Sequence, residues 1–209
     1  MELKGLKINF IGDSITEGVG ASSYDKCYVA QFAAATGTLV RNYGIGGTRI
    51  ARRKEPYENP RFDQDFCGRF QQMDDDADVI VVFGGTNDYG HGDAPLGKME
   101  DRDVWSFYGA CHVLFSGLVA KYPDKLIMVM TPMHRLPKPN REVELQEYVR
   151  VLREVAEYYS LPVLDLWATS GIQPLVPEQH ALYFVDQVHP NDNGHARIAY
   201  KLRRFLENL

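Results

Sequence analysis

The 209 residues, 44% hydrophobic and 24% charged, suffice for one globular domain (1–209) with a sizeable core. The net charge of −5, with no basic stripe, excludes an ordinary nucleic-acid binder, because phosphate contacts need clustered Lys and Arg. No apolar run is long enough to span a membrane and no secretory leader is recognisable, so a cytoplasmic protein is expected.

The first expected strand is Lys7 to Ile11, and Ser14 to Glu17 behind it can open a helix or a turn. The second is Thr38 to Asn42, running into Asn42-Tyr43-Gly44-Ile45-Gly46-Gly47. The basic run Arg49 to Lys54 reads as a solvated loop edge, and Ala51 to Phe62, with two prolines and many charges, as a long surface loop. The third strand, Val79 to Phe83, leads into Gly84-Gly85-Thr86-Asn87-Asp88, and a second long loop is expected over Tyr89 to Asp103. One helical stripe follows from Val104 through Phe107, Cys111 and Leu114 to Leu118. Beyond the fourth strand, Leu126 to Met130, a second stripe runs from Leu145 through Leu152 to Tyr159. The fifth strand is Pro162 to Leu164, and a last stripe runs from Ile198 through Leu202 to Leu209, with a helix start signalled at Pro190 to Asp192.

This alternation of strand and helix predicts an α/β fold with a parallel sheet covered on both faces. Right-handed crossovers put the C-terminal ends of the strands on one edge, where ligands bind in open sheets. Ser14, Gly47 and Asn87 each follow a strand closely, so they are expected to meet there. The three cysteines are odd in number, lack metal-type spacing and fit reduced thiols.

The residue types at this edge suit acyl transfer. Ser14 offers a hydroxyl near backbone N–H groups, although a serine after a strand is also a common helix cap. His189 can take and return a proton, and Asp186, three residues earlier, can reach its imidazole and set the tautomer. His195 competes as the base, but it falls near the apolar stripe of the last helix and reads as structural. The Asn87 amide and the N–H groups of Gly47 and Ser14 can hold an oxyanion. The surroundings of Ser14 are not G-x-S-x-G, which argues against a nucleophile elbow. Gly92 to Met99 approaches a phosphate-binding loop but lacks its Ser/Thr, and Gly44 to Gly47 lacks the third glycine of a dinucleotide fingerprint. The six histidines show no zinc spacing, so no metal and no cofactor are expected.

Together GDSIT, NYGIGG, GGTND and DQVHP resemble four sequence blocks of the SGNH hydrolases, a branch of the GDSL esterases and lipases. The resemblance spans residues 12 to 190. It implies a three-layer α/β/α sandwich, flavodoxin-like, around a parallel sheet of about five strands. It also implies Ser14 as nucleophile, Ser14, Gly47 and Asn87 as the oxyanion hole, and His189 with Asp186 as the base pair, without a metal. The expected substrate is a small-molecule ester. Tyr89, His91 and His134, with Arg135, are expected at the pocket edge, and their polarity tilts toward short acyl groups on a polar alcohol such as a sugar. Relatives of this kind also include lysophospholipases and thioesterases. A non-catalytic binding module that kept the fold is the alternative from another class, and a nucleotide-binding α/β protein has only the two broken glycine motifs behind it.

Overall fold

The computed structural model of the protein describes residues 1–91, 94–140 and 143–209. Its sheet contains β1 (Lys7–Gly12), β2 (Leu39–Gly44), β3 (Val79–Phe83), β4 (Leu126–Met130) and β5 (Val163–Leu164). All pairings are parallel, in the spatial order β2-β1-β3-β4-β5. Among the described residues the helices are α1 (Ser14–Glu17), α2 (Tyr28–Thr36), α3 (Phe66–Arg69), α4 (Thr86–His91) and α5 (Phe107–Lys121). Then come α6 (Leu145–Tyr158), α7 (Leu166–Thr169), α8 (Pro177–Tyr183) and α9 (Asp192–Glu207).

The strands alternate between two cores. Ile80 and Val82 of β3 point with Ile11, Ile127 and Val129 into a layer filled by Phe107, Leu114 and Leu152 of α5 and α6. Val79, Val81 and Phe83 point with Phe10 and Met128 into the opposite layer, filled by Phe32 of α2 and Ile198 and Leu202 of α9. This double burial explains why β3 is apolar at every position. The architecture is the expected three-layer α/β/α sandwich.

The chain leaves β1 toward β2 on one side and later returns to β3 on the other. The strand order therefore reverses at β1, where a crevice forms beyond the strand ends. Register places Gly12 level with both Gly44 and Phe83, so the three segments after these strands start from one line.

Several local expectations are corrected. β2 starts at Leu39 and runs on through Tyr43 and Gly44 of the second motif. Tyr89 to His91 complete α4 and are not loop. Gly92 and Asp93, which open both the rest of that loop and the near phosphate-binding motif, lie outside the described residues. The Arg49 to Lys54 run is not simply a solvated edge. Arg49, Ile50 and Ala51 are buried, and Arg52 pairs with Asp65 at 2.8 Å.

Cys27, Cys67 and Cys111 are free and buried. His195 is fully buried. Its Nδ1 accepts the Tyr28 N–H at 3.2 Å, so the proton sits on Nε2 and is given to the Val19 carbonyl at 3.2 Å. Burial pulls its pKa down to about 4. The folded value thus lies below the ordinary 6.5, so the stabilisation is present above pH 6.5 and is lost as pH falls toward 4. The wild type is expected to lose about 2 to 3 kcal/mol more stability between pH 7 and 4.5 than His195→Gln, which has no proton to gain. Urea unfolding of both proteins at the two pH values checks this, and equal losses would contradict it.

Candidate active site

The site is built on the ends of β1, β2 and β3 and on the loop before α9. A sharp turn joins β1 to α1. Asp13 caps the helix, its carboxylate accepting the Ile15 N–H at 3.0 Å. The serine at position 14 is therefore the first helical residue and not the cap. Its hydroxyl faces elsewhere, 3.0 Å from His189 Nε2.

On the far side of the ring, His189 Nδ1 lies 2.7 Å from Asp186 Oδ2. The other oxygen of Asp186 accepts the N–H groups of Val188 and His189, each at 2.7 Å. Partial burial pushes the Asp186 carboxyl up, but the His189 ring and the two backbone N–H groups outweigh it and hold the group below the usual carboxylate range. An ionised Asp186 can only accept, so the imidazole proton sits on Nδ1 and the Nε2 lone pair faces the serine. The loop itself is pinned on both sides: Val185 N–H bonds the His189 carbonyl, and the Asn191 side chain caps α9.

The second motif approaches α1 closely. A Cβ at Gly44 would run into the backbone of Glu17, so glycine permits this contact. Asn42 donates its amide to the Thr16 carbonyl at 2.7 Å, and Glu17 accepts the Gly46 N–H at 2.6 Å. Gly47 has φ +78°, a left-handed conformation, and a Cβ there would sit 2.6 Å from the Phe62 ring.

The third motif is joined to the second through Thr48. Its carbonyl accepts one N–H of the Asn87 amide at 2.9 Å. An amide carries a second N–H, which this bond leaves oriented and available. Ser14 N–H lies at the first turn of a helix, where no intrahelical acceptor exists. Among the described residues no acceptor is paired with it or with Gly47 N–H.

Arg69 supports this arrangement from below. Its buried guanidinium bonds the carbonyls of Gly12 and Tyr43 and the Thr48 hydroxyl, tying together the ends of β1 and β2. Burial lowers its pKa to about 10, which leaves it charged at neutral pH. Asp88 next to Asn87 is also buried and accepts the N–H groups of Ile50 and Ala51, and burial pushes its carboxyl up to about 6. Asp13, buried likewise, is pushed up to about 6. Asp13, Glu17, Thr48 and Arg69 are supporting residues that sequence reasoning missed. Their partners are distant in the chain, and no spacing marks them.

The expected pocket residues separate. His134 stacks on Trp167, with ring centroids 3.7 Å apart. It lines a narrow recess of about 10 Å³ together with Asp13, Ile15, Thr86, Met133 and Val188. Tyr89 is buried, and its hydroxyl accepts the Lys138 N–H at 2.9 Å. It forms part of a second cavity beyond His134. His91 lines neither space. Its Nδ1 is 2.8 Å from the Tyr57 hydroxyl, and Tyr57 packs edge-on against Phe62, the ring beside Gly47.

A hydroxyl, an imidazole and a carboxylate in series, beside unpaired N–H donors, are the parts that acyl transfer requires. Similarity to known proteins agrees with this class. Residues 10–197 match the profile of the GDSL-like Lipase/Acylhydrolase family. Over 93% of the chain, the sequence is 26% identical to an acetylxylan esterase of Xylanibacter ruminicola. The chain spans only 42% of that protein's length. A crystal structure of a protein from Lactobacillus plantarum, 31% identical, superposes with a TM-score of 0.88 over 99% of this chain and 98% of that one. The acetyl xylan esterase AlAXEase, 20% identical, shares the fold with a TM-score of 0.65 over 96% of this chain and 100% of its own. The fold and the match together define the class as a GDSL hydrolase. The chain belongs to the GDSL-like lipase/acylhydrolase family.

Proposed function

We propose that this protein is a serine esterase that removes short acyl groups, acetyl above all, from a small polar alcohol such as a sugar. The observation that carries the reading is the unbroken series Ser14 Oγ, His189 Nε2 and Nδ1, Asp186 Oδ2. Ser14 Oγ attacks the acyl carbon while His189 Nε2 takes its proton. The carbonyl oxygen becomes an oxyanion held by the N–H groups of Ser14 and Gly47 and by the Asn87 amide. His189 returns the proton to the departing alcohol, which leaves the acyl group on Ser14. Water, deprotonated by His189, then attacks the acyl-enzyme and releases the acid.

The recess supports a small acyl group. It is lined by the neighbours of Ser14, Asn87 and His189, and its free volume of about 10 Å³ suits a small group. A long acyl chain, as in a lysophospholipid, would have to displace buried Met133. The acetylxylan esterase relative supports a sugar as the alcohol. A series of p-nitrophenyl esters from acetate to octanoate tests the reading. We expect kcat/KM to fall by about tenfold or more between acetate and hexanoate, because each methylene beyond the recess must overpack it. A rising series would reverse the assignment toward lipids.

A further inference from the structure

We infer that the cavity beyond His134, walled by the His134–Trp167 stack, is a subsite for a pyranose ring of the alcohol. It has a volume of about 270 Å³ and is lined by Tyr89, His134, Arg135, Trp167, Gln146 and Gln173, with Glu144 at its rim. Its place follows from two shared residues. His134 and Arg135 also line the narrow recess beside Ser14, so their side chains form the partition between the two spaces.

The wall is rigid. Trp167 sits on α7, and its backbone N–H donates to the Thr131 hydroxyl at 3.0 Å, at the start of the segment that carries His134. The same segment is fastened to the catalytic loop, Leu136 N–H bonding the Gln187 carbonyl at 3.0 Å. Burial pulls the His134 pKa down, so the stacked pair presents neutral aromatic surface at neutral pH.

The chemistry of the lining selects the ligand. A pyranose has a face of C–H groups and a rim of hydroxyls that donate and accept. The indole and imidazole offer apolar aromatic surface to the face. The amides of Gln146 and Gln173 offer donors and acceptors to the rim. An acyl tail would leave these polar groups without partners. Arg135 and Glu144 bring one positive and one negative charge to the lining, so the cavity carries no net charge that would select an anion such as phosphate. A neutral, hydroxyl-rich ring satisfies both surfaces.

This inference rests on the esterase reading for its link to chemistry, and the experiment separates the two. Wild type and Trp167→Ala are assayed on p-nitrophenyl acetate, which carries no sugar, and on an acetylated xylo-oligosaccharide. We expect the ratio of kcat/KM for the sugar ester to that for p-nitrophenyl acetate to fall about tenfold or more in Trp167→Ala, mainly through KM. Trp167→Phe, which keeps an aromatic face, should recover most of the ratio. A structural defect would lower both substrates together and leave the ratio near wild type, and that result overturns the inference. So does a wild type that cleaves p-nitrophenyl acetate but leaves the sugar ester intact. Should Trp167→Ala not fold, Gln146→Ala, at an exposed position, carries the same test with an expected fall of about threefold. A wild type inactive on both substrates sinks the esterase reading instead. The cavity is then read directly with xylotriose and Trp105→Phe protein, in which Trp167 is the one remaining tryptophan of two. A saturable change in its emission upholds the subsite, and no change overturns it.

Discussion

Ser14→Ala is expected to lower kcat on p-nitrophenyl acetate by about 10⁴-fold or more with the fold and stability nearly unchanged. Both halves of this expectation follow from the start of α1. Asp13 supplies the cap, so the Ser14 side chain holds no backbone group. Removing its hydroxyl deletes one bond, to His189 Nε2, and leaves no buried donor of the helix without a partner. A capping serine would behave differently, costing about 1 kcal/mol of stability on truncation with no direct effect on turnover. Thermal unfolding measured beside kcat separates the two cases. Alanine at this position that retains wild-type turnover would sink the acyl-enzyme mechanism. Loss of covalent labelling by a fluorophosphonate probe in the same variant would tie the defect to this hydroxyl.

Asp186→Asn should cost between about 10² and 10⁴ in kcat, with KM little changed. The carboxylate accepts three N–H groups, from Val188, from His189 and from the His189 ring. An asparagine must turn its own NH₂ toward one of these donors. If the amide oxygen keeps the two backbone groups, the NH₂ faces Nδ1, and the ring proton moves to Nε2, where it blocks acceptance from Ser14. The lower bound allows for exposure: the Asp186 side chain is 51% exposed, so water can replace part of what it supplies. The carboxyl is held below the usual range, so wild-type activity should not lose this group's charge anywhere above about pH 4. A kcat for the variant equal to that of wild type at pH 8 would show that the imidazole is oriented by something else.

The centre of the sheet was legible because β3 and β4 are buried on both faces and read as uninterrupted apolar runs, whereas the partly exposed edge strand β2, which carries Arg41 and Asn42, was placed less well. The helices α5, α6 and α9 were legible because each shows one apolar stripe. α2 was not: Tyr28, Val29 and Phe32 are buried, but alanines fill four of the other six positions and blur the period. The four-residue helices α3 and α7 are too short to show any period. α4 was hidden because Gly-Gly and Asn-Asp are ordinary turn signals, and only packing decides that a helix begins at Thr86.

The sequence by itself determined which chemical groups stand at the strand ends. Residue type and its distance from an apolar run are local properties, so Ser14, Gly47 and Asn87 could be singled out without coordinates, and Asp186 and His189 by their three-residue spacing. Tertiary structure decided what each group touches. It set Ser14 against a histidine 175 residues away and gave the capping duty to Asp13. It anchored the Asn87 amide on Thr48, with Arg69 beneath. It also set Trp167 against His134, where a second cavity opens. Hydrogen bonds and ring contacts act over about 3 to 6 Å through space, and separation along the chain does not enter them.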